Sequence, residues 1–142
     1  MSKLRLVFDG GAREGNPGVG YGSFKIWVDD QLITHIPPTV YSQYMNNVEA
    51  EYKTLLVAIT WICERFNEPD IDLIIEGDSD LVRKQIGEMH RQLSGRVTWK
   101  AWRCNFPYLL KYRDAIRSVL PFFKSVTYNY LNEKIVKQIL GH

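Results

Sequence analysis

The sequence is poor in cysteine, in histidine and in long apolar runs. It has two cysteines and three histidines in 142 residues. Cys63 and Cys104 stand far apart, outside any zinc-ligand spacing, so we expect reduced thiols rather than a metal site or a disulfide framework. The apolar runs are much shorter than a membrane span. The N-terminal segment lacks the basic, apolar and small-residue regions of a signal peptide, so a cytoplasmic protein without a membrane partner is expected.

Charge and composition are those of an ordinary soluble domain. The formal net charge is +2 and the pI is near 8.5, with 45% hydrophobic and 24% charged residues. This mildly basic balance permits a polyanionic partner without indicating one. The length fits one domain with a single core, residues 1–142, and the sequence contains no repeat, linker or low-complexity segment. A monomer is expected.

The first third of the chain predicts an antiparallel meander. Leu4, Leu6 and Phe8 alternate with other residues, as in a half-buried strand. Asp29 and Asp30 are typical of a tight hairpin turn, and Pro37 with Pro38 is expected to end the third strand. The predicted strands cover residues 3–9, 22–28 and 31–36, with a polar loop at residues 41–47.

The remaining two thirds predict helices alternating with two strands. Apolar residues recur at spacings of three and four, which indicates amphipathic helices. In the last helix this spacing places Ile135 and Ile139 inward. The predicted helices cover residues 48–66, 107–120 and 132–140, with another starting at about Asp80, and the predicted strands cover residues 71–76 and 124–131. Residues 87–95 are polar and are expected to be loose. The expected fold is therefore α/β, with a five-stranded mixed sheet flanked by helices.

Three carboxylates stand at unusual places in this pattern. Asp9 ends the first strand, and Asp78 ends the fourth. Glu51 lies one turn before Leu55 on the apolar face of the first long helix, where an unpaired charge is costly. Clustered Asp and Glu side chains are the oxygen ligands that hard cations such as Mg²⁺ prefer. If strands one and four are neighbours, these carboxylates meet at one edge of the sheet.

The motifs that surround these residues resemble those of the type 1 ribonuclease H family. They are DGGAREGNPG followed by GYG, then NNVEAEY, then GDSDLVRKQ, in this order over nearly the whole chain. The resemblance implies a ribonuclease H-like fold and an endonuclease that cuts the RNA strand of RNA–DNA hybrids. It also implies two divalent ions, Mg²⁺ or Mn²⁺, as cofactors. The chain lacks the Lys- and Arg-rich insertion of members with a basic protrusion, so it resembles the compact form.

The resemblance assigns roles to individual residues. Asp9, Glu51 and Asp78 would be catalytic metal ligands; Glu49 is a weaker candidate because it faces away from the apolar stripe as an exposed residue. Substrate contacts would come from Gly10, Gly11, Asn16, Asn46 and Asn47, along the minor groove where 2′-hydroxyl groups distinguish RNA from DNA. The aromatic and basic stretch from Trp99 to Arg113 is a candidate for the DNA strand, or part of the core.

The tail departs from the family pattern. YNYLNEKIVKQILGH contains no Asp, although the family places one at the head of the last helix. Asn132 is the preferred fourth catalytic and metal ligand, with a helix N-cap as its alternative role; Glu133 is a second candidate, and a site without a fourth ligand is the third possibility. No His precedes the last helix, so no residue is assigned to the family's catalytic-loop His.

Two other functions are compatible with the same motifs. A hybrid-binding module with weak or no catalysis is one, because a fold does not fix function. The missing fourth Asp favours it, whereas the costly set of Asp9, Glu51 and Asp78 argues against it. A related nuclease acting on DNA or double-stranded RNA is the other, and Asn16 with its neighbouring glycines disfavours it.

Overall fold

The structure, a computed structural model, describes residues 2–142 and is built around one five-stranded sheet. Five strands form this sheet: β1 (Ser2–Arg13), β2 (Gly18–Val28), β3 (Gln31–Met45), β4 (Ile71–Gly77) and β7 (Ser125–Tyr130). Two short strands, β5 (Glu88–Arg91) and β6 (Val97–Lys100), lie outside it. Across the main sheet the order is β3-β2-β1-β4-β7. β1, β2 and β3 pair antiparallel, whereas β4 and β7 run parallel to β1. The predicted five-stranded mixed sheet is confirmed.

Four helices cover the two faces of this sheet. They are α1 (Asn47–Cys63), α2 (Asp80–Ile86), α3 (Pro107–Val119) and α4 (Glu133–Leu140). Leu4, Leu6 and Phe8 of β1 belong to the main core with α1 and α3, while Val7 points to the other face and packs against α4. Each fully buried apolar side chain contributes roughly 1.5–3 kcal/mol, so this alternation fixes the register of β1. No helix within residues 2–142 is long and apolar enough to cross a membrane.

The first three strands are all longer than predicted. β1 continues to Arg13, so Asp9 lies within it and not at its end, and β2 begins at Gly18.

We expected Pro37 and Pro38 to end the third strand and residues 41–47 to form a loop, but β3 continues to Met45. β3 is an edge strand of the sheet, where a missing N–H group leaves no ladder bond unmade. A register shift opposite Ser23 accommodates the two prolines, and the Ser23 hydroxyl donates to the Ile36 carbonyl at 2.9 Å.

Two other expectations were wrong. The segment around residues 87–95 was predicted to be loose, yet β5 and β6 form a separate antiparallel hairpin there. In the last helix Ile135 is 47% exposed, and Val136 and Leu140 are the buried residues. The buried face of α4 is therefore rotated by one residue from the predicted one. The turn at Asp29 and Asp30 is confirmed, with both residues at positive φ.

Gly22 of β2 occupies a position that has no room for a side chain. A Cβ at this position would collide with the Thr54 and Tyr41 hydroxyl groups, which hydrogen-bond each other across 3.0 Å. Gly22→Ala should lower the free energy of unfolding by about 1–3 kcal/mol, measured by urea denaturation. In a Thr54→Ala background the loss should be smaller, because the added methyl group enters the space vacated by the hydroxyl. Equal losses in both backgrounds would contradict this packing.

Candidate active site

Parallel pairing of β1 with β4 brings two of the predicted carboxylates to one edge of the sheet. The register aligns Phe8 with Gly77, and the residues that follow them are Asp9 and Asp78. β7 extends this arrangement, because the Leu131 N–H group donates to the Gly77 carbonyl at 2.8 Å. The parallel pairing of β1, β4 and β7 therefore ends at this edge, as expected for the site of an α/β sheet, although β1 itself runs on past Asp9.

Glu51 reaches the same edge because α1 packs directly on Gly10. A Cβ added to Gly10 would lie 2.6 Å from the Ala50 carbonyl oxygen and 2.8 Å from the Glu51 Cα. Only glycine permits this approach. The start of α1 is fixed by Asn46, whose Oδ1 accepts a hydrogen bond from the Glu49 N–H group at 2.8 Å. The glycine predicted to contact substrate thus also positions a carboxylate.

Asp9 is a buried carboxylate, and Glu51 and Asp78 are partly buried beside it. Asp9 is 4% exposed, and its Oδ2 atom is buried without a hydrogen-bond partner. Within residues 2–142, the Tyr128 hydroxyl is the other buried side-chain oxygen in that state. Burial raises the pKa of Tyr128 well above its usual value, and nearby Glu51 adds to the effect. Buried polar atoms without partners are rare, and they indicate a missing ligand, water or ion.

Burial and neighbouring charges raise the pKa values of all three carboxylates. Burial raises the pKa of Glu51 to about 7; a hydrogen bond from Ser79 partly opposes the shift, while Asp78 and Asp9 reinforce it. Burial, with the charges of Asp9 and Glu133, raises the pKa of Asp78 to about 6. The pKa of Asp9 is raised by burial, against the opposing charge of Lys137. Mutual repulsion shows that these carboxylates share one small region.

The chemistry of this set fits a hard divalent cation. Its donors are carboxylate oxygens, Lys137 offsets their charge only in part, and Asp9 Oδ2 has no hydrogen-bond partner. The side chains are not closed around a common centre, since no three His, Cys, Asp or Glu side chains of residues 2–142 are placed to hold a metal ion as they stand. Asp9, Glu51 and Asp78 are therefore a coupled cluster rather than a finished coordination shell.

Helix α4 contributes a carboxylate and a cation to this edge. Glu133 raises the pKa values of Asp9 and Asp78, so it faces the cluster, and it pairs with Lys137 across 2.8 Å. Asn132 is the N-cap of α4, and its Oδ1 accepts a hydrogen bond from the Lys134 N–H group at 2.8 Å. Lys137 was not identified from sequence, although its i,i+4 spacing from Glu133 was a usable signal.

The predicted substrate-binding amides form a connected patch beside the cluster. Asn16 and Asn47 hold each other: Asn16 Nδ2 donates to Asn47 Oδ1 at 2.9 Å, and the Asn47 N–H group donates to Asn16 Oδ1 at 2.9 Å. Asn46 donates to the Tyr108 hydroxyl at 2.6 Å. Gly11 lies under Tyr21, whose hydroxyl oxygen is 3.0 Å from the position of an added Cβ. The structure thus joins Asn16 to Asn47 next to Asn46, with Gly10 packed against α1, whereas Gly11 lies apart under Tyr21.

The aromatic and basic stretch divides between core and surface. Trp99 packs against the main core, beneath the Arg117 guanidinium at 5.0 Å from the ring centre. Trp102 and Phe106 are each 57% exposed, and Lys84 lies 4.2 Å from the Trp102 ring centre. Glu49, predicted to be exposed, is partly buried and accepts a hydrogen bond from the Tyr112 hydroxyl at 2.8 Å.

Known structures share this arrangement of elements. The RNase H1 of the halophilic archaeon Halobacterium salinarum is 25% identical, with a TM-score of 0.74 over 95% of this chain and 89% of that one. The N-terminal RNase H domain of a Mycobacterium tuberculosis protein is 23% identical, with a TM-score of 0.72 over 95% and 91%. LC11-RNase H1 in complex with an RNA/DNA hybrid is 17% identical, with a TM-score of 0.66 over 97% and 90%.

These likenesses define the class of the protein, which has the type 1 ribonuclease H-like fold. The resemblance predicted from the three sequence motifs is confirmed at this level. The sequence itself matches no protein-family model and no curated protein significantly.

The raised pKa of Glu51 predicts a specific pH dependence of stability. The folded protein binds this proton more readily than the unfolded chain, so without metal the free energy of unfolding falls as pH rises from about 4.5 to about 7. Glu51→Gln should remove this penalty and stabilise the protein at pH 8 by on the order of 2 kcal/mol, without a gain at pH 4. Urea denaturation in chelator measures both.

The matched control is Glu64→Gln, which changes an exposed carboxylate near the other end of α1. This variant should have the same pH profile as the wild type. A Glu51→Gln protein no more stable than wild type at pH 8 would show that Glu51 is not held in a desolvated cluster.

Proposed function

We propose that this protein is a ribonuclease H, an endonuclease that hydrolyses the RNA strand of RNA–DNA hybrids with bound divalent cations. The observation that carries the proposal is the convergence of Asp9, Glu51 and Asp78 at one edge of a ribonuclease H-like sheet. The related fold of LC11-RNase H1, seen with an RNA/DNA hybrid, supports the choice of substrate.

The three carboxylates would hold the cations, two ions of Mg²⁺ or Mn²⁺. Such ions, when bound, stabilise the charge that develops on the attacking and leaving oxygens of the phosphodiester. Asp9 is held rigidly because its strand is paired on both sides. Glu51 is oriented by the cap of α1 and by Ser79. Glu51, whose pKa is raised, would bind a cation in its deprotonated form, so cation binding would be linked to loss of its proton.

Hybrid recognition is assigned to the amide patch beside the cluster. Asn16 and Asn47 present their amides next to the start of α1, within reach of a strand that passes over Glu51. Compact amides of this kind can hydrogen-bond to the 2′-hydroxyl groups that mark RNA. Asn46 links this patch to Tyr108, and Phe106 packs beside Tyr108. These aromatic side chains are suited to stacking or packing along the DNA strand.

A non-catalytic module of the same fold is the less favoured alternative. Burying carboxylates against one another costs stability, as the raised pKa values of Glu51 and Asp78 record. Binding a hybrid requires positive charge rather than this cluster. A nuclease with another duplex preference would use the same carboxylates, so substrate specificity must be measured separately.

Asp9→Asn tests the proposal directly. We expect the wild type to cut the RNA strand of a labelled hybrid with Mg²⁺ or Mn²⁺, and not in chelator. Asp9→Asn should reduce this rate by more than the roughly 10- to 100-fold typical of an outer-shell partner, because a direct cation ligand is lost. Double-stranded RNA and double-stranded DNA complete the assay and identify a different substrate preference.

Asp80→Asn is the matched control, because Asp80 lies two residues after Asp78 but pairs with Arg83 and Lys84. It should keep nearly full activity. A hybrid left uncut under every metal condition, or one cut equally well by Asp9→Asn, would refute the proposed activity.

We propose that Glu133, in preference to Asn132, supplies the fourth cation ligand. Asn132 Oδ1 is engaged in capping α4, whereas the Glu133 carboxylate acts electrostatically on both aspartates. Glu133 is exposed and paired with Lys137, so it can move toward a bound cation without a large desolvation cost.

Metal titrations distinguish these two residues. Glu133→Gln should raise the Mg²⁺ concentration that gives half-maximal cleavage, because a charged ligand is lost. Asn132→Ala should mainly lower stability, by roughly 0.5–2 kcal/mol, through loss of the helix cap. Asn132→Asp adds a carboxylate at the same place and should lower the Mg²⁺ requirement. An unchanged requirement in Glu133→Gln, with a raised one in Asn132→Ala, would assign the position to Asn132 instead.

A further inference from the structure

A basic groove opens from the carboxylate cluster on the face of the sheet that α4 covers. Its volume is about 580 Å³. His142 links it to the cluster, since its Nδ1 lies 3.7 Å from Asp9 Oδ2. The lining of the groove includes Arg13, Tyr21, His35, Lys137, Leu140 and His142.

The strand register explains how this groove forms. Asp9, Gly11 and Arg13 alternate along β1 and therefore share one face of the sheet. Tyr21 pairs with Gly11 across the ladder, and its hydroxyl lies over that glycine. The Arg13 guanidinium stacks on the Tyr21 ring at 4.2 Å from its centre. A row of donors thus leads away from Asp9 toward the end of β1.

The groove is complementary to a phosphate backbone. None of the described residues that line it is acidic. Arg13 supplies permanent positive charge, and Lys137, which pairs with Glu133, adds a second ammonium group at the rim. His35 has a lowered pKa, caused by desolvation, Lys25 and His142, but a neutral imidazole still offers an N–H donor. Leu140, with Pro37 and Pro38, gives an apolar wall. This composition suits an extended anionic strand better than an isolated apolar ligand.

We propose that this groove binds the phosphodiester backbone of the RNA strand immediately beside the scissile phosphate, on the α4 side of the carboxylate cluster. The inference rests on the proposed ribonuclease H function, because the strand held at Asp9 is the one that enters the groove. Arg13 is its principal phosphate contact, with the Tyr21 ring holding the guanidinium in place. These contacts position the strand and carry no base information.

Binding experiments in a Glu51→Gln background, in which the hybrid should stay intact, test this groove. Adding Arg13→Gln should raise the Kd for the hybrid roughly two- to fivefold, because an exposed charge contact is lost. The slope of log Kd against log salt, measured at about 50–200 mM, should fall by about one unit. In a further set of hybrids, one RNA phosphate at a time is replaced by an uncharged methylphosphonate. Hybrid binding by Glu51→Gln should weaken when the replaced phosphate lies at one position beside the cut. In the double variant that also carries Arg13→Gln, the same replacement should have no further effect on binding.

The matched control is Arg65→Gln, since Arg65 stacks on Trp61 at the same 4.2 Å but lies beyond the far end of α1. It should leave the Kd, the salt slope and the methylphosphonate pattern unchanged. Arg13→Lys, which keeps the charge, should restore most of the salt slope. The hybrid could be bound and cut by the wild type while Arg13→Gln behaves like Arg65→Gln. That result would contradict the groove proposal and leave the proposed nuclease activity supported. If the hybrid is neither bound nor cut, both proposals fail together.

Discussion

Parallel pairing between β1 and β4 is the constraint on which the arrangement of this protein depends. It sets Phe8 beside Gly77, so Asp9, where β1 runs past the end of β4, and Asp78, which follows β4, lie at the same edge. The connection from β3 to β4 passes through α1, which packs on Gly10 and carries Glu51 over that edge. The cluster is therefore a consequence of topology and close packing.

The same arrangement has an energetic cost. Carboxylates whose pKa values are raised by burial and by one another destabilise the folded chain near neutral pH, as at sites tuned for function. Lys137, which lies on α4, offsets part of this repulsion with its positive charge. Next to the cluster, the groove lined by Arg13 is positively charged. A phosphate strand bridged by cations to the cluster and held by the groove would complement both regions.

Local patterns predicted most of the fold and the principal carboxylates. The alternation in β1 determines its buried face, and a strand end or a charge on an apolar stripe stands out in sequence. Pro37 and Pro38 misled the prediction, because proline ends an inner strand but not an edge strand, and edge position is set by the whole sheet. The hairpin of β5 and β6 has short, exposed strands without an apolar period. The rotation of α4 by one residue, from Ile135 to Val136, depends on its tertiary contact with Val7.

The central claim is that Asp9, Glu51 and Asp78 together bind divalent cations. Anomalous diffraction from crystals grown with Mn²⁺ measures this most directly, because it locates the ions without reference to activity. We expect a strong peak bounded by carboxylate oxygens of all three residues, and its loss in Asp9→Asn. Mn²⁺ peaks confined to other parts of the molecule, with this edge of the sheet empty at a saturating concentration, would contradict it.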